Sequence, residues 1–118
     1  MGGRRLQVTI YHNPRCSKSR QTLELLRDHD PVVIDYLKEP PSVEELERIL
    51  KMLGLQPREL MRKKEPIYRD LNLDNPELDR AALLKAMAEH PNLIERPIVI
   101  KGAKAALGRP PENVLDIL

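Results

Sequence analysis

The chain has one cysteine, Cys16, and neither phenylalanine nor tryptophan. A single cysteine excludes an intramolecular disulfide and a cysteine-rich metal framework. Three tyrosines are the whole aromatic content, so single-strand nucleic-acid binding lacks its usual stacking platform. The histidines His12, His29 and His90 are far apart and show neither HxxH nor HExxH spacing, which argues against a zinc site. A formal charge of +2 gives no global field of the kind that marks a nucleic-acid binder. No apolar run approaches the roughly 20 residues of a membrane span. The start, Met1-Gly2-Gly3-Arg4-Arg5, leads straight into a strand-like segment without the apolar core of a signal peptide. These absences set the expectations: no metal, no bound cofactor, no nucleic acid, no membrane, and a reducing cytoplasmic location.

What is present is a chain of 118 residues, enough for one domain with a core of Leu, Ile, Val and Ala. Leu6, Val8 and Ile10 alternate with Gln7, Thr9 and Tyr11, the period of a strand. After the turn His12-Asn13-Pro14-Arg15, the spacing predicts a helix from Cys16 to about Asp28, and Val32–Tyr36 reads as a second, β-branched strand. Strand, helix and strand within about thirty residues form a βαβ unit with parallel strands. Pro40-Pro41 ends it.

Ser42 and Glu45 then match a capping box, Leu46, Ile49, Leu50 and Leu53 mark one helical face, and Gly54 suits the helix stop. A short helix is expected from Pro57 to about Lys63, and another over Leu78–His90 with Ala82, Leu83, Ala86 and Met87 inward. Pro97–Ile100 and Lys104–Leu107 read as strands around a turn at Gly102, and Pro110-Pro111-Glu112 opens a last helix. The order is βαβ, helices, ββα. It predicts an α/β thioredoxin-like fold with a mixed sheet: one domain over 1–118, with a helical insertion at about 42–91 between its two halves.

Cys16 falls where a strand ends and a helix begins, with unpaired N–H groups and the positive end of a helix dipole to favour a thiolate. Arg15, Lys18 and Arg20 add positive charge close in sequence, and His12 precedes the turn. A lone cysteine is commonly a small buried hydrophobe, but polar and basic neighbours favour a nucleophile here. The same helix end could hold a tetrahedral oxyanion. Ser19 completes a Cys-x-x-Ser spacing and stands where a dithiol enzyme has its second cysteine. It can hydrogen-bond the thiolate or simply cap the helix, but it cannot close a disulfide. A covalent intermediate on Cys16 therefore needs an external thiol.

Four blocks carry a family resemblance. They are His12-Asn13-Pro14-Arg15-Cys16-Ser17-Lys18-Ser19-Arg20, Arg58-Glu59-Leu60-Met61-Arg62-Lys63, Arg96-Pro97-Ile98-Val99 and Gly108-Arg109-Pro110-Pro111-Glu112. Together, from Val8 to Leu118, they resemble the glutaredoxin-coupled arsenate reductase (ArsC) family. The His-Asn-Pro-x-Cys block sets that family apart from Spx-like and YffB-like relatives. Ser17-Lys18 stands where well-known members carry Gly-Thr, and the chain stops at Leu118 without a C-terminal extension; in this it looks like the short YfgD-like branch.

The resemblance implies that Cys16 attacks arsenate, that Arg62, Arg96 and Arg109 surround the oxyanion, that His12 and Ser19 tune the cysteine, and that Pro97 is a cis-proline. It also implies glutathione as co-substrate and glutaredoxin as partner. Guanidinium forks match oxyanion edges and stay charged, although most arginines of any chain are merely solvated. From the residues alone Arg96 ranks first and Arg109 second, since each directly precedes a proline, and Arg62, beside Lys63 and Lys64, ranks third. Two other readings stay open: an Spx-like, non-catalytic protein-binding module, and a glutathione-dependent reductase of another substrate.

Overall fold

The computed structural model describes residues 6–118; the expectations for Met1–Arg5 lie outside them. The described residues form two compact units, one of residues 6–35 with Arg96–Leu118, the other Tyr36–Glu95.

The first unit carries a mixed four-stranded sheet in the order β2-β1-β3-β4, made of β1 (Val8–His12), β2 (Val32–Asp35), β3 (Ile98–Lys101) and β4 (Lys104–Leu107). β1 runs parallel to β2, with His12 opposite Asp35, as a βαβ crossover requires. β3 is antiparallel to both β1 and β4. Helix α1 (Ser17–Leu25) makes the crossover and continues into a 3-10 turn, Arg27–His29. Val8, Ile10, Leu26, Val99 and Val114 are buried together, with Leu23, Ala106 and Ile117 packed against them. Each such side chain contributes about 1.5–3 kcal/mol when fully buried. This is the expected thioredoxin-like arrangement. The boundaries differ in detail: β1 runs Val8–His12, the Cys16 helix is α-helical only to Leu25, β2 stops at Asp35, β3 starts at Ile98, and the final helix is a 3-10 segment, Pro111–Ile117.

The second unit holds α2 (Val43–Leu53), α3 (Pro66–Asp70) and α4 (Arg80–Glu89). Ser42 Oγ accepts the Glu45 N–H at 3.1 Å, and Gly54 ends α2 in the left-handed region at φ 69°, where glycine carries no Cβ penalty. Of the expected α2 face, Leu46, Ile49 and Leu50 are buried and Leu53, in the last turn, is half-buried. The helix expected from Pro57 to Lys63 shrinks to a 3-10 turn, Pro57–Leu60, because Met61 is extended and pairs with Ile94. In α4 it is Leu84 rather than Ala82 that is buried beside Leu83, Ala86 and Met87, and Asp79 supplies its cap, accepting the Ala82 N–H at 2.8 Å. The short α3, opened by Pro66, has no counterpart in the sequence reading. No helix among the described residues is long and apolar enough to cross a membrane.

Candidate active site

β1 delivers His12, and four residues later Cys16 occupies the N-cap of α1. The turn between them is fixed by its own hydrogen bonds. The Cys16 N–H donates to the Asn13 carbonyl at 3.0 Å, the Arg15 N–H to Asn13 Oδ1 at 3.0 Å, and the Arg20 guanidinium to the Pro14 carbonyl at 2.9 Å. Asparagine is suited to this because its side-chain oxygen can mimic a backbone turn.

Cys16 is extended (φ −98°, ψ 124°), as N-cap residues are. Its sulfur stands where a capping oxygen otherwise sits. It closes no side-chain cap hydrogen bond; the surrounding donors favour the thiolate. Burial pushes the Cys16 thiol up, but the Ser19 N–H, the Arg96 charge, the Lys18 N–H and an Arg96 hydrogen bond outweigh it, and the group ends below its ordinary value. The first turn of α1 contains no acidic residue, so no neighbouring carboxylate competes with a thiolate for the helix end.

Ser19 is fully buried, and its hydroxyl is turned away from the role expected of it. Ser19 Oγ lies 2.6 Å from His12 Nδ1 and accepts the Asn13 N–H at 3.0 Å. Its backbone N–H, not its side chain, favours the Cys16 thiolate. His12 is held below the ordinary imidazole value by burial first and by Arg20, while Asp35 on the neighbouring strand pulls the other way.

The positive charge at the sulfur comes from the first-ranked arginine and not from the cations close in sequence. The side chains of Arg15, Lys18 and Arg20 are exposed, and Arg96, distant in sequence, supplies the guanidinium that acts on Cys16. Arg96 is half-buried, and the Arg96–Pro97 peptide bond is cis, as the resemblance implies. Arg109–Pro110 is cis as well, which the sequence reading did not anticipate. The Gly108 N–H donates to the Pro97 carbonyl at 3.0 Å, so the segments carrying Arg96 and Arg109 are joined to each other. Arg109 itself is exposed. Arg62 belongs to the Tyr36–Glu95 unit; there its guanidinium pairs with Glu65 at 3.3 Å and donates to the Asn92 carbonyl at 3.4 Å.

The structure thus brings Cys16, His12, Ser19 and Arg96 together in one unit. Asn13, Thr22, Asp35 and Gly108 also shape this region and were not singled out from sequence. Asp35 could have been found by aligning the two strands of the βαβ unit, since parallel pairing sets it opposite His12.

The ArsC family model matches residues 11–117 of the chain. An arsenate reductase of Haemophilus influenzae is 54% identical over 116 residues, covering 96% of this chain and 100% of that protein. The uncharacterized protein YfgD of Escherichia coli is 52% identical, covering 95% of this chain and 97% of that one. Among solved structures, the arsenate reductase from Vibrio cholerae matches with a TM-score of 0.94 at 55% identity, covering 98% of this chain and 100% of that one.

Proposed function

Because the chain belongs to the ArsC family, we propose that it reduces arsenate to arsenite, with the Cys16 thiolate as nucleophile and with glutathione and glutaredoxin as external reductants. The observation that carries this reading is the Cys16–Arg96 pair: a thiol at a helix N-cap whose acidity a guanidinium increases. The same features that favour a thiolate favour an oxyanion.

In this reading Arg96 and Arg109 hold arsenate at the start of α1. The Cys16 sulfur forms a bond to arsenic, and one arsenate oxygen leaves as water after taking up protons. Glutathione then displaces a second oxygen, again as water, giving Cys16–S–As–S–glutathione with arsenic still pentavalent. A glutaredoxin thiolate attacks the glutathione sulfur. The As–S bond to glutathione breaks with its electron pair left on arsenic, which becomes trivalent, and glutaredoxin leaves as a mixed disulfide with glutathione. Water finally displaces the Cys16 thiolate and arsenite departs. Two electrons reach arsenic, and the two external thiols end as one disulfide.

The chain has no second cysteine to replace either of them, and the cycle calls for the reduced glutathione of a reducing, cytoplasmic compartment. His12 and Ser19 are positioning residues. Their hydrogen bond orients the imidazole beside the nucleophile's turn, and burial keeps that ring neutral near pH 7.

A coupled assay with arsenate, glutathione and glutaredoxin tests the reading. The native chain is expected to turn over and Cys16→Ser to be inactive; turnover persisting in Cys16→Ser would sink the mechanism.

A further inference from the structure

Gly108 sits between β4 and Arg109 and is buried. It has no unusual backbone angle to explain a glycine there; what it lacks is room. A Cβ at 108 would overlap the Thr22 hydroxyl on α1, stand 2.7 Å from Pro97 Cγ and 3.1 Å from Thr22 Cγ2. Thr22 is fully buried, and its hydroxyl donates to the Lys18 carbonyl at 2.8 Å, so it cannot swing aside without leaving a buried group unsatisfied. The Pro97 ring is tied to its own backbone at φ, so its Cγ can yield only by a change of pucker. The 108 segment cannot move alone either, because its N–H is bonded to the Pro97 carbonyl and Leu107 is paired with Ile98.

We propose that Gly108 is a positioning residue for this site: its missing side chain lets the Arg96–Pro97 and Gly108–Arg109 segments close on α1, so that the Arg96 guanidinium reaches Cys16. Any Cβ at 108 has to be relieved by moving both segments away from the helix whose cap is the nucleophile. Arg96 directly precedes Pro97 and Arg109 directly follows Gly108, so both arginines retreat together. The inference rests on the reading of Cys16 as a thiolate nucleophile, and it extends that reading to a residue that bears no reactive group.

The test is the pH dependence of iodoacetamide alkylation of the full chain, whose single cysteine makes the signal unambiguous. It is run on the native chain, Gly108→Ala, Thr22→Ala and the double variant, alongside the KM for arsenate. In Gly108→Ala the alkylation midpoint is expected to move up by about half a unit or more as the Arg96 charge withdraws, with KM rising severalfold. The double variant removes both Thr22 contacts and is expected to fall between Gly108→Ala and Thr22→Ala.

An unchanged midpoint in folded Gly108→Ala overturns the proposal, as does a double variant whose midpoint equals that of Thr22→Ala. If Gly108→Ala does not fold, the double variant is compared with Thr22→Ala alone: a higher midpoint supports the proposal through the remaining Pro97 contact, and an equal one overturns it. A native chain that alkylates with a low midpoint but never reduces arsenate defeats the assigned substrate and leaves the role of Gly108 standing.

Discussion

His12 Nδ1 and Ser19 Oγ are 2.6 Å apart, and both side chains are buried. Because the same oxygen accepts the Asn13 N–H, one hydroxyl serves a ring nitrogen and a backbone donor that have little water to turn to. Ser19→Ala leaves both without that oxygen. It is expected to cost about 1–3 kcal/mol in urea unfolding, with Ser19→Thr less harmful because the hydroxyl is kept. A loss within experimental error for Ser19→Ala would show that this hydrogen bond does not hold the turn.

Arg96 and Arg109 separate by their effect on the thiol. The Arg96 charge and hydrogen bond lower the Cys16 value, so Arg96→Ala should raise the midpoint of the alkylation profile, by about one unit for the loss of a close opposite charge. Arg109 is exposed, so solvent screens its charge. Arg109→Ala should weaken arsenate binding while leaving the profile in place. Equal shifts in the two variants would contradict this division of roles.

His12 makes stability pH-dependent with a definite sign. Burial lowers its folded value, assisted by Arg20 and opposed by Asp35. Below the ordinary imidazole value the unfolded chain therefore binds a proton that the folded chain refuses. The stabilisation is complete above that ordinary value and is lost as the pH falls toward the lowered folded value. Denaturation midpoints across this window should decline with acid, and His12→Gln should flatten the decline. Asp35→Asn should steepen it, because the folded imidazole loses its one favourable charge. A His12→Gln chain with an unaltered slope would assign the dependence to another group.

The caps of the second unit are ordinary in kind and should behave so. Ser42→Ala and Asp79→Ala remove the side-chain acceptors at the starts of α2 and α4, and each should cost about 1 kcal/mol. Gly54→Ala should cost about as much for a different reason. Among the described residues, nothing beyond its chain neighbours lies within 4 Å of the added methyl, so the penalty comes from the positive φ. Thermal or urea unfolding of the three variants checks both statements.

The sheet was legible because alternation and β-branched runs repeat with a period of two, and β4 falls where Lys104–Leu107 was expected. The short α3 was not legible: five residues hold too little periodicity to be seen, and Pro66 alone marks its start. The Pro57 helix was overextended because Arg62 and Lys63 suit a helix, whereas pairing of Met61 with Ile94, a contact between residues far apart in sequence, ends it at Leu60. In the site, Cys16 could be read from its local turn. Arg96 ranks first among the arginines from its place before Pro97, but that it, rather than the nearby Arg15, Lys18 or Arg20, acts on the sulfur follows only from the folded sheet.

The first unit is assembled from the two ends of the chain, with Tyr36–Glu95 threaded between them. A ribosome therefore makes the cysteine early and its arginine late. Until Arg96 has been synthesised and β3 has paired with β1, the sulfur has only the donors of its own helix turn and lacks its guanidinium partner. The nucleophile is thus made first and its guanidinium partner last, carried in beside the first residues of β3.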